Sequence, residues 1–258
     1  MSYLIATTGK GGVGKTTITS LLIQRMIFHK RIPILAVDAD PNTNLDIALG
    51  IKVEKTVGSV REEVGEEAKK GLAAGISKQQ LLEMKIAEGL VESENFDYLA
   101  MGRPEGPGCY CYANNILKSV LFSISSNYPY VVLDNEAGLE NLSRRIVQKV
   151  DTLLIISDHS KVGFATIKRL YELALEMKID FKKVVVVINK LRANTNTTAE
   201  FDINGIKADA IIGIPYDEEI AKMAEAGKKI DATELAQISK TETIKKIDRI
   251  LEIIFNGR

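Results

Sequence analysis

The residues best equipped for chemistry form one string near the N-terminus, Gly9-Lys10-Gly11-Gly12-Val13-Gly14-Lys15-Thr16-Thr17. It fits G-x-x-x-x-G-K-[ST], preceded by an apolar run and followed by a helical pattern, which is the setting that motif needs in order to cradle phosphates. The glycines let backbone N–H groups turn towards an anion, and the N-terminus of the following helix adds positive potential. Lys15 would then reach the β- and γ-phosphates of a nucleotide, and Thr16 would ligate Mg²⁺. Carboxylates close two other apolar runs: Asp38 and Asp40 in Asp38-Ala39-Asp40-Pro41, and Asp134 in Asp134-Asn135-Glu136-Ala137-Gly138. Phosphoryl transfer asks a protein mainly to position groups and metal, a task suited to acids at the C-terminal ends of strands.

A second chemical feature is Cys109-Tyr110-Cys111, which holds both cysteines of the chain. A disulfide between residues so close would be strained, so free thiols or metal ligands are the better readings. The pair follows the Gly- and Pro-rich segment 102–108 and precedes a helical pattern, whose N-terminus would favour thiolate. Two thiolates seldom satisfy a soft divalent ion, since Zn²⁺ takes four ligands. His29 and His159 read as surface or capping residues rather than as the missing ligands. Two copies of the chain about a two-fold axis would bring four thiolates together, so a metal bridging a homodimer is one expectation. Incidental filling of the core by two small side chains is the other.

Strands are needed to carry these groups to one place. Apolar runs at Tyr3–Thr8, Ile34–Val37, Phe96–Met101, Tyr130–Asp134, Thr152–Ser157, Lys183–Asn189 and Ala210–Pro215 read as strands. Helical patterns lie between them: one after the phosphate loop, then about Tyr112–Ser126, Asn141–Lys149, Gly163–Met177 and Asp217–Ala226, with a last one at about Thr241–Phe255. The alternation predicts a doubly wound, mostly parallel sheet with helices on both faces, the P-loop NTPase fold, in a single domain over residues 1–258. Ligands of such sheets bind at the C-terminal strand ends, so the phosphate loop, both acidic segments and the cysteine loop should share an edge. Residues 57–94 fit least well and read as one or two charged surface helices inserted before the next strand.

With 258 residues, 34 basic and 34 acidic side chains and 45% hydrophobic residues, the chain has the composition of a folded globular protein. Balanced charge offers no overall field for nucleic acid or anionic lipid. No apolar run approaches the ~20 residues of a membrane span, and the N-terminus enters a strand without a basic leader segment, so a cytoplasmic location without membrane insertion is expected. The last helix could present Ile244, Ile247, Leu251, Ile254 and Phe255 to a membrane, but its acidic residues favour docking onto the core.

With Lys10, the phosphate loop resembles the signature-lysine, or deviant Walker A, loop of the family that includes septum-site ATPases, partition ATPases and nitrogenase iron proteins. The resemblance implies that Lys10 reaches across a dimer to the partner's nucleotide. It also implies that Asp38 holds Mg²⁺ through water, that Asp40 orients the attacking water, and that Asp134 is the Walker B acid with Gly138 as a switch hinge. It assigns adenine to Asn189 and to the loop Pro215-Tyr216-Asp217, making ATP the expected nucleotide. A nitrogenase-type iron-sulfur cluster is not expected, because no cysteine lies near Asp134–Gly138. The string from Gly102 to Asn115, together with Asp134–Gly138, is similar to the nickel-insertion accessory ATPases of carbon monoxide dehydrogenase, the CooC type. That similarity implies a homodimer that binds Ni²⁺ or Zn²⁺ through Cys109 and Cys111 and serves a nickel enzyme, carbon monoxide dehydrogenase or acetyl-CoA synthase. A spatial regulator of the septum-site or partition type, without a metal role, is the alternative.

Overall fold

The computed structural model describes residues 2–71, 75–103, 118–121, 123–138, 149–192, 203, 205–229 and 242–256. Its strands are β1 (Tyr3–Gly9), β2 (Ile34–Asp38), β3 (Val91–Glu92), β4 (Phe96–Ala100), β5 (Tyr130–Asp134), β6 (Lys149–Asp158), β7 (Asp180–Leu191) and β8 (Ala210–Pro215). They form one eight-stranded sheet in the order β3-β4-β2-β5-β1-β6-β7-β8. All neighbours run parallel except the β3 edge, which pairs antiparallel with β4. The doubly wound sheet expected from the sequence is therefore the sheet observed.

The strand sequences explain this architecture. Runs such as Tyr130-Val-Val-Leu-Asp134 and Val184-Val-Val-Val-Ile188 are rich in β-branched residues and apolar on both faces, as a sheet covered on both sides requires. Val131 and Leu133 enter one core with Leu35, Val37, Leu153 and Ile155. Val132 faces the opposite core with Ile5, Ala36, Leu154 and Ile156. The first core is covered by α3 (Val57–Lys70), α4 (Lys78–Glu88) and α5 (Lys161–Glu176), the second by α1 (Lys15–Phe28), α2 (Leu45–Leu49), α6 (Glu218–Glu225) and α7 (Glu242–Phe255).

Residues 57–94 thus contain two helices that are half solvated and half core. Each starts with a capping box, Thr56 with Ser59 and Ser77 with Gln80. Val57, Val60 and Val64 at helical spacing, joined by Leu82 and Ile86, are buried against the sheet. The last helix docks as its acidic residues suggested. Ile244, Ile247, Ile250, Leu251, Ile254 and Phe255 are all buried, and Lys183 Nζ caps its C-terminal carbonyls at Ile253, Ile254 and Asn256.

Several boundaries differ from the sequence expectation. Lys149, expected to end a helix, is the first residue of β6, because ladder pairing with β7 begins at Lys149 opposite Asp180, well before the apolar run. For the same reason β7 extends to Asp180 and Leu191. Helix α2 and strand β3 were not anticipated, being too short to show a period. The predicted helix at 141–148, residues 112–117 and 122 of that at 112–126, and Cys109 with Cys111 fall outside the described residues.

Candidate functional site

Strand β1 sits between β5 and β6 at the centre of the sheet, so its C-terminal end delivers the phosphate loop to the middle of one edge. Two glycines make the close approaches possible. A Cβ on Gly9 would lie 2.0 Å from the Ile156 carbonyl oxygen of β6. Gly14 has φ +90°, and a Cβ there would meet Asn189 Nδ2 at 2.7 Å.

Asn189 belongs to a bulge in β7, where the register with β8 shifts between Ile188 and Leu191 and Lys190 takes φ 59°. Bulges re-aim side chains beside active sites. Here Asn189 Nδ2 donates to the Val13 carbonyl at 2.8 Å and Lys190 Nζ to the Gly12 carbonyl at 2.9 Å. The phosphate loop is therefore held from β7 at two successive carbonyls. Lys190 was not anticipated, since nothing in the sequence tells this lysine from its neighbours.

Lys15 is buried and its Nζ donates to the Lys10 carbonyl at 3.2 Å. Burial lowers its pKa, opposed by the nearby charges of Asp134, Asp40 and Glu136. Glu136, whose role the sequence left open, thus contributes its field to the phosphate-binding lysine.

Asp134 is buried among hydroxyls. Its oxygens accept from Thr16 Oγ1 at 2.8 Å, Thr7 Oγ1 at 2.9 Å and Thr19 Oγ1 at 3.1 Å. Asp38 lies opposite it in the β2–β5 register and is fully buried. The Asp38 carboxylate accepts from the backbone N–H groups of Asp40, Asn44 and Leu45, each at 3.0 Å, and from the Tyr98 hydroxyl at 3.2 Å. Burial, with the Asp134 charge beside it, pushes the Asp38 pKa up to about 7, and burial also raises that of Asp134. Two facing buried acids with a threonine hydroxyl are an all-oxygen donor set, which fits Mg²⁺, an ion usually held by one or two carboxylates plus water and phosphate. Among the described residues no cluster of three or more His, Cys, Asp or Glu side chains could hold a metal ion.

The acidic segment after β5 is tied to β1 and its phosphate loop, and the one after β2 is tied to β5 by the Ala39 N–H, which donates to the Asp134 carbonyl at 2.9 Å. The Gly138 N–H donates to the Gly9 carbonyl at 2.9 Å, and Asn135 Nδ2 to the Thr7 carbonyl at 2.7 Å. Asp40 Oδ1 accepts from Asn42 N at 2.8 Å and Asn42 Nδ2 at 3.0 Å, while Asn42 Oδ1 accepts from Arg103. Arg103 stands just past β4, whose last residue Ala100 pairs with Asp38, so the segment leading to the cysteines leaves from the same edge. Lys10, 40% exposed, pairs with Asp158 at the end of β6, Nζ to Oδ2 3.6 Å.

Beside the loop lies a cavity of about 170 Å³, lined by Gly14, Thr17, Ile18, Leu21, Asn189, Pro215, Tyr216, Asp217 and Thr243 among others. The residues expected to meet adenine therefore do surround one space. Asp217 contributes mainly as the N-cap of α6, accepting from the N–H groups of Glu219 and Ile220. Thr7, Thr19, Tyr98, Asp158 and Thr243 were not singled out in the sequence, because single polar residues inside apolar or mixed runs carry no pattern, and Arg103 entered only as part of the Gly102–Asn115 string, without a role of its own.

Comparison with known proteins agrees with this geometry. The AAA domain family matches residues 2–187. An uncharacterised ATP-binding protein of Methanocaldococcus jannaschii is 43% identical over 256 residues, spanning 99% of this chain and 99% of its own. The carbon monoxide dehydrogenase accessory protein CooC of Rhodospirillum rubrum is 28% identical over 235 residues, 86% of this chain and 87% of its own. Among solved structures, the cell division ATPase MinD of Pyrococcus furiosus shares the fold with a TM-score of 0.71 at 18% identity, over 98% of each chain.

Proposed function

The chain belongs to the AAA domain family of ParA/MinD-like P-loop ATPases, and from that premise we propose that it is a cytoplasmic, homodimeric maturation factor that couples ATP hydrolysis to nickel handling. Its metal cargo is Ni²⁺ or Zn²⁺, held by Cys109 and Cys111 of two subunits. Its client is a nickel enzyme, carbon monoxide dehydrogenase or, alternatively, acetyl-CoA synthase. The observation that carries this reading is a Cys-x-Cys that follows β4 in the sequence, β4 being a strand that ends at the edge bearing the phosphate loop, in a chain similar to CooC over 86% of its length. Balanced charge supports no nucleic-acid partner, and among the described residues no helix is long and apolar enough to cross a membrane.

In this mechanism the nucleotide's phosphates draw Lys15 Nζ off the Lys10 carbonyl and accept the N–H groups of residues 9–17. Thr16 and Asp134, with Asp38 through water, would hold Mg²⁺, which when bound would neutralise the phosphoryl oxygens. Asp40 orients the attacking water. Lys10 exchanges Asp158 for the phosphates bound by the second subunit, so closure of the dimer depends on nucleotide. Hydrolysis reopens the dimer and releases the cargo.

Native mass measurement during metal and ATP titration tests this reading. The wild-type dimer should bind one Ni²⁺ or Zn²⁺, and a Cys109→Ala/Cys111→Ala variant should bind none while retaining ATP. Metal at full stoichiometry in the double variant would falsify it. The shared MinD fold supports a second reading, an ATPase of spatial regulation without metal. ATP-dependent pelleting with anionic liposomes, unchanged in the cysteine variant, would favour that reading.

A further inference from the structure

The cavity beside the phosphate loop has one wall that the nucleotide motifs do not account for. Thr243, in the first turn of α7, lines it together with Asn189, Pro215 and Tyr216. Thr243 is 3% exposed, and its Oγ1 is buried with no hydrogen-bond partner among the described residues. A buried hydroxyl without a partner costs on the order of 1–3 kcal/mol, so such groups in a folded protein call for an explanation. Valine would fill the same volume without that cost. The neighbouring Ile244 and Ile247 are fully buried, so the helix face itself makes no demand for a hydroxyl.

The cavity's other buried polar group shows what the hydroxyl could meet. Asn189 spends Nδ2 on the Val13 carbonyl, which leaves its Oδ1 as an acceptor. An acceptor beside the apolar wall of Ile18, Leu21 and Ile220 suits a flat base bearing an exocyclic amino group, as adenine does. The ring nitrogens of that base are acceptors, and a threonine hydroxyl can donate to one of them. Guanine would instead turn a carbonyl oxygen towards Asn189 Oδ1.

We propose that Thr243 is a base-reading residue, whose hydroxyl donates to a ring nitrogen of adenine in the cavity it shares with Asn189. The proposal rests on reading this cavity as the seat of the base. It also makes α7 part of the nucleotide site. The same helix is fastened to α1, the phosphate-loop helix, through Asp248 and Arg25 at 2.7 and 2.8 Å.

The test is Thr243→Val, assayed by Mg-ATP binding and by thermal unfolding. Relief of the orphaned hydroxyl should raise the melting temperature of the nucleotide-free protein. ATP affinity should fall about tenfold, the scale of one buried hydrogen bond, and the melting shift on ATP addition should shrink. A threonine with only a structural role would not move these two readouts in opposite directions. Of 1-deaza-, 3-deaza- and 7-deaza-ATP, one should bind wild type about tenfold more weakly than ATP and lose nothing further in Thr243→Val. Unchanged ATP affinity in Thr243→Val, or full loss with all three analogues, overturns the assignment. Ala224→Trp, which fills the cavity, separates the premise from the proposal. If this variant melts cooperatively yet no longer binds ATP while Thr243→Val binds normally, the base sits there and Thr243 does not read it. If Ala224→Trp binds ATP normally, the base lies elsewhere and both fall.

Discussion

Lys10 Nζ lies 3.6 Å from Asp158 Oδ2, so the extra lysine of the phosphate loop is held within its own chain by the end of β6. The Asp158 carboxyl is well suited to the task. Its pKa is lowered first by the Ser160 hydroxyl and then, against the effect of partial burial, by the Ser160 N–H and by Lys10, so it stays charged. With Lys10 40% and Asp158 29% exposed, the pair is screened and worth under about 1 kcal/mol. That is weak enough for a phosphate to displace. Asp158→Asn should therefore lower the protein concentration needed for ATP-dependent self-association by a few fold, as measured by sedimentation velocity, and Lys10→Ala should abolish it. An unchanged midpoint in Asp158→Asn would remove the pair from the switch.

Asp38 gives the site a pH dependence of definite sign. Its pKa of about 7, against an ordinary 3.8, means that the folded protein binds this proton more tightly than the unfolded chain. The contribution to stability therefore falls as pH rises between those values and levels off above 7. From pH 6 to pH 8 the loss is about 1 kcal/mol from this group. Binding of Mg²⁺ and nucleotide favours the carboxylate, so at pH 6 it should release on the order of one proton, and at pH 8 almost none. Calorimetry in buffers of different ionisation enthalpy reads this directly. Equal proton release at the two pH values would show that Asp38 does not respond to the metal.

Much of this site was legible in the sequence because it depends on local strings. Gly9–Thr17, Asp38–Pro41 and Asp134–Gly138 each close an apolar run, and parallel strands carry all three to one edge. The charged segment 57–94 was read as helical, yet its buried stripe of Val57, Val60, Val64, Leu82 and Ile86 emerges only once a sheet lies beneath it. Asp158 and Lys190 were illegible for a different reason. Each acquires its partner across the sheet, Lys10 in one case and the Gly12 carbonyl in the other, and no spacing along the chain announces such a meeting. Lys149 failed as a helix end because ladder pairing runs past the apolar residues that mark a strand.

Arg103 offers a test of how the acidic loop after β2 is held. Its guanidinium donates to Asn42 Oδ1, and Asn42 in turn donates twice to Asp40 Oδ1. This chain joins the segment past β4 to the carboxylate assigned to the attacking water. Arg103→Ala should lower kcat for ATP hydrolysis a few fold and leave ATP affinity as in wild type, because no phosphate or base contact is lost. Arg103→Lys, which keeps the charge but not the planar donor set, should recover only part of the rate. A rise in KM with kcat unchanged would place Arg103 in nucleotide binding instead.

The bond between Arg25 and Asp248 bears on stability, because it fixes the last helix to the helix that follows the phosphate loop. Arg25 is 3% exposed, and Asp248 meets it with both oxygens at 2.7 and 2.8 Å while His29 Nε2 lies 3.0 Å from Oδ1. Burial pulls the Asp248 pKa upward, but the hydrogen bonds from Arg25 and His29 outweigh it and hold the pKa below the ordinary 3.8. The pair's contribution is therefore complete above the unfolded value and is lost as pH falls through the folded one. Removing the carboxylate leaves a buried guanidinium uncompensated, so Asp248→Ala should cost roughly 2 kcal/mol in urea unfolding at pH 7. Replacing both partners, Arg25→Met with Asp248→Leu, removes the stranded charge and should recover most of that loss. If the double variant were less stable than Asp248→Ala, the stacking of the Arg25 guanidinium over Phe28, with Cζ 4.0 Å from the ring centroid, would be the larger contribution.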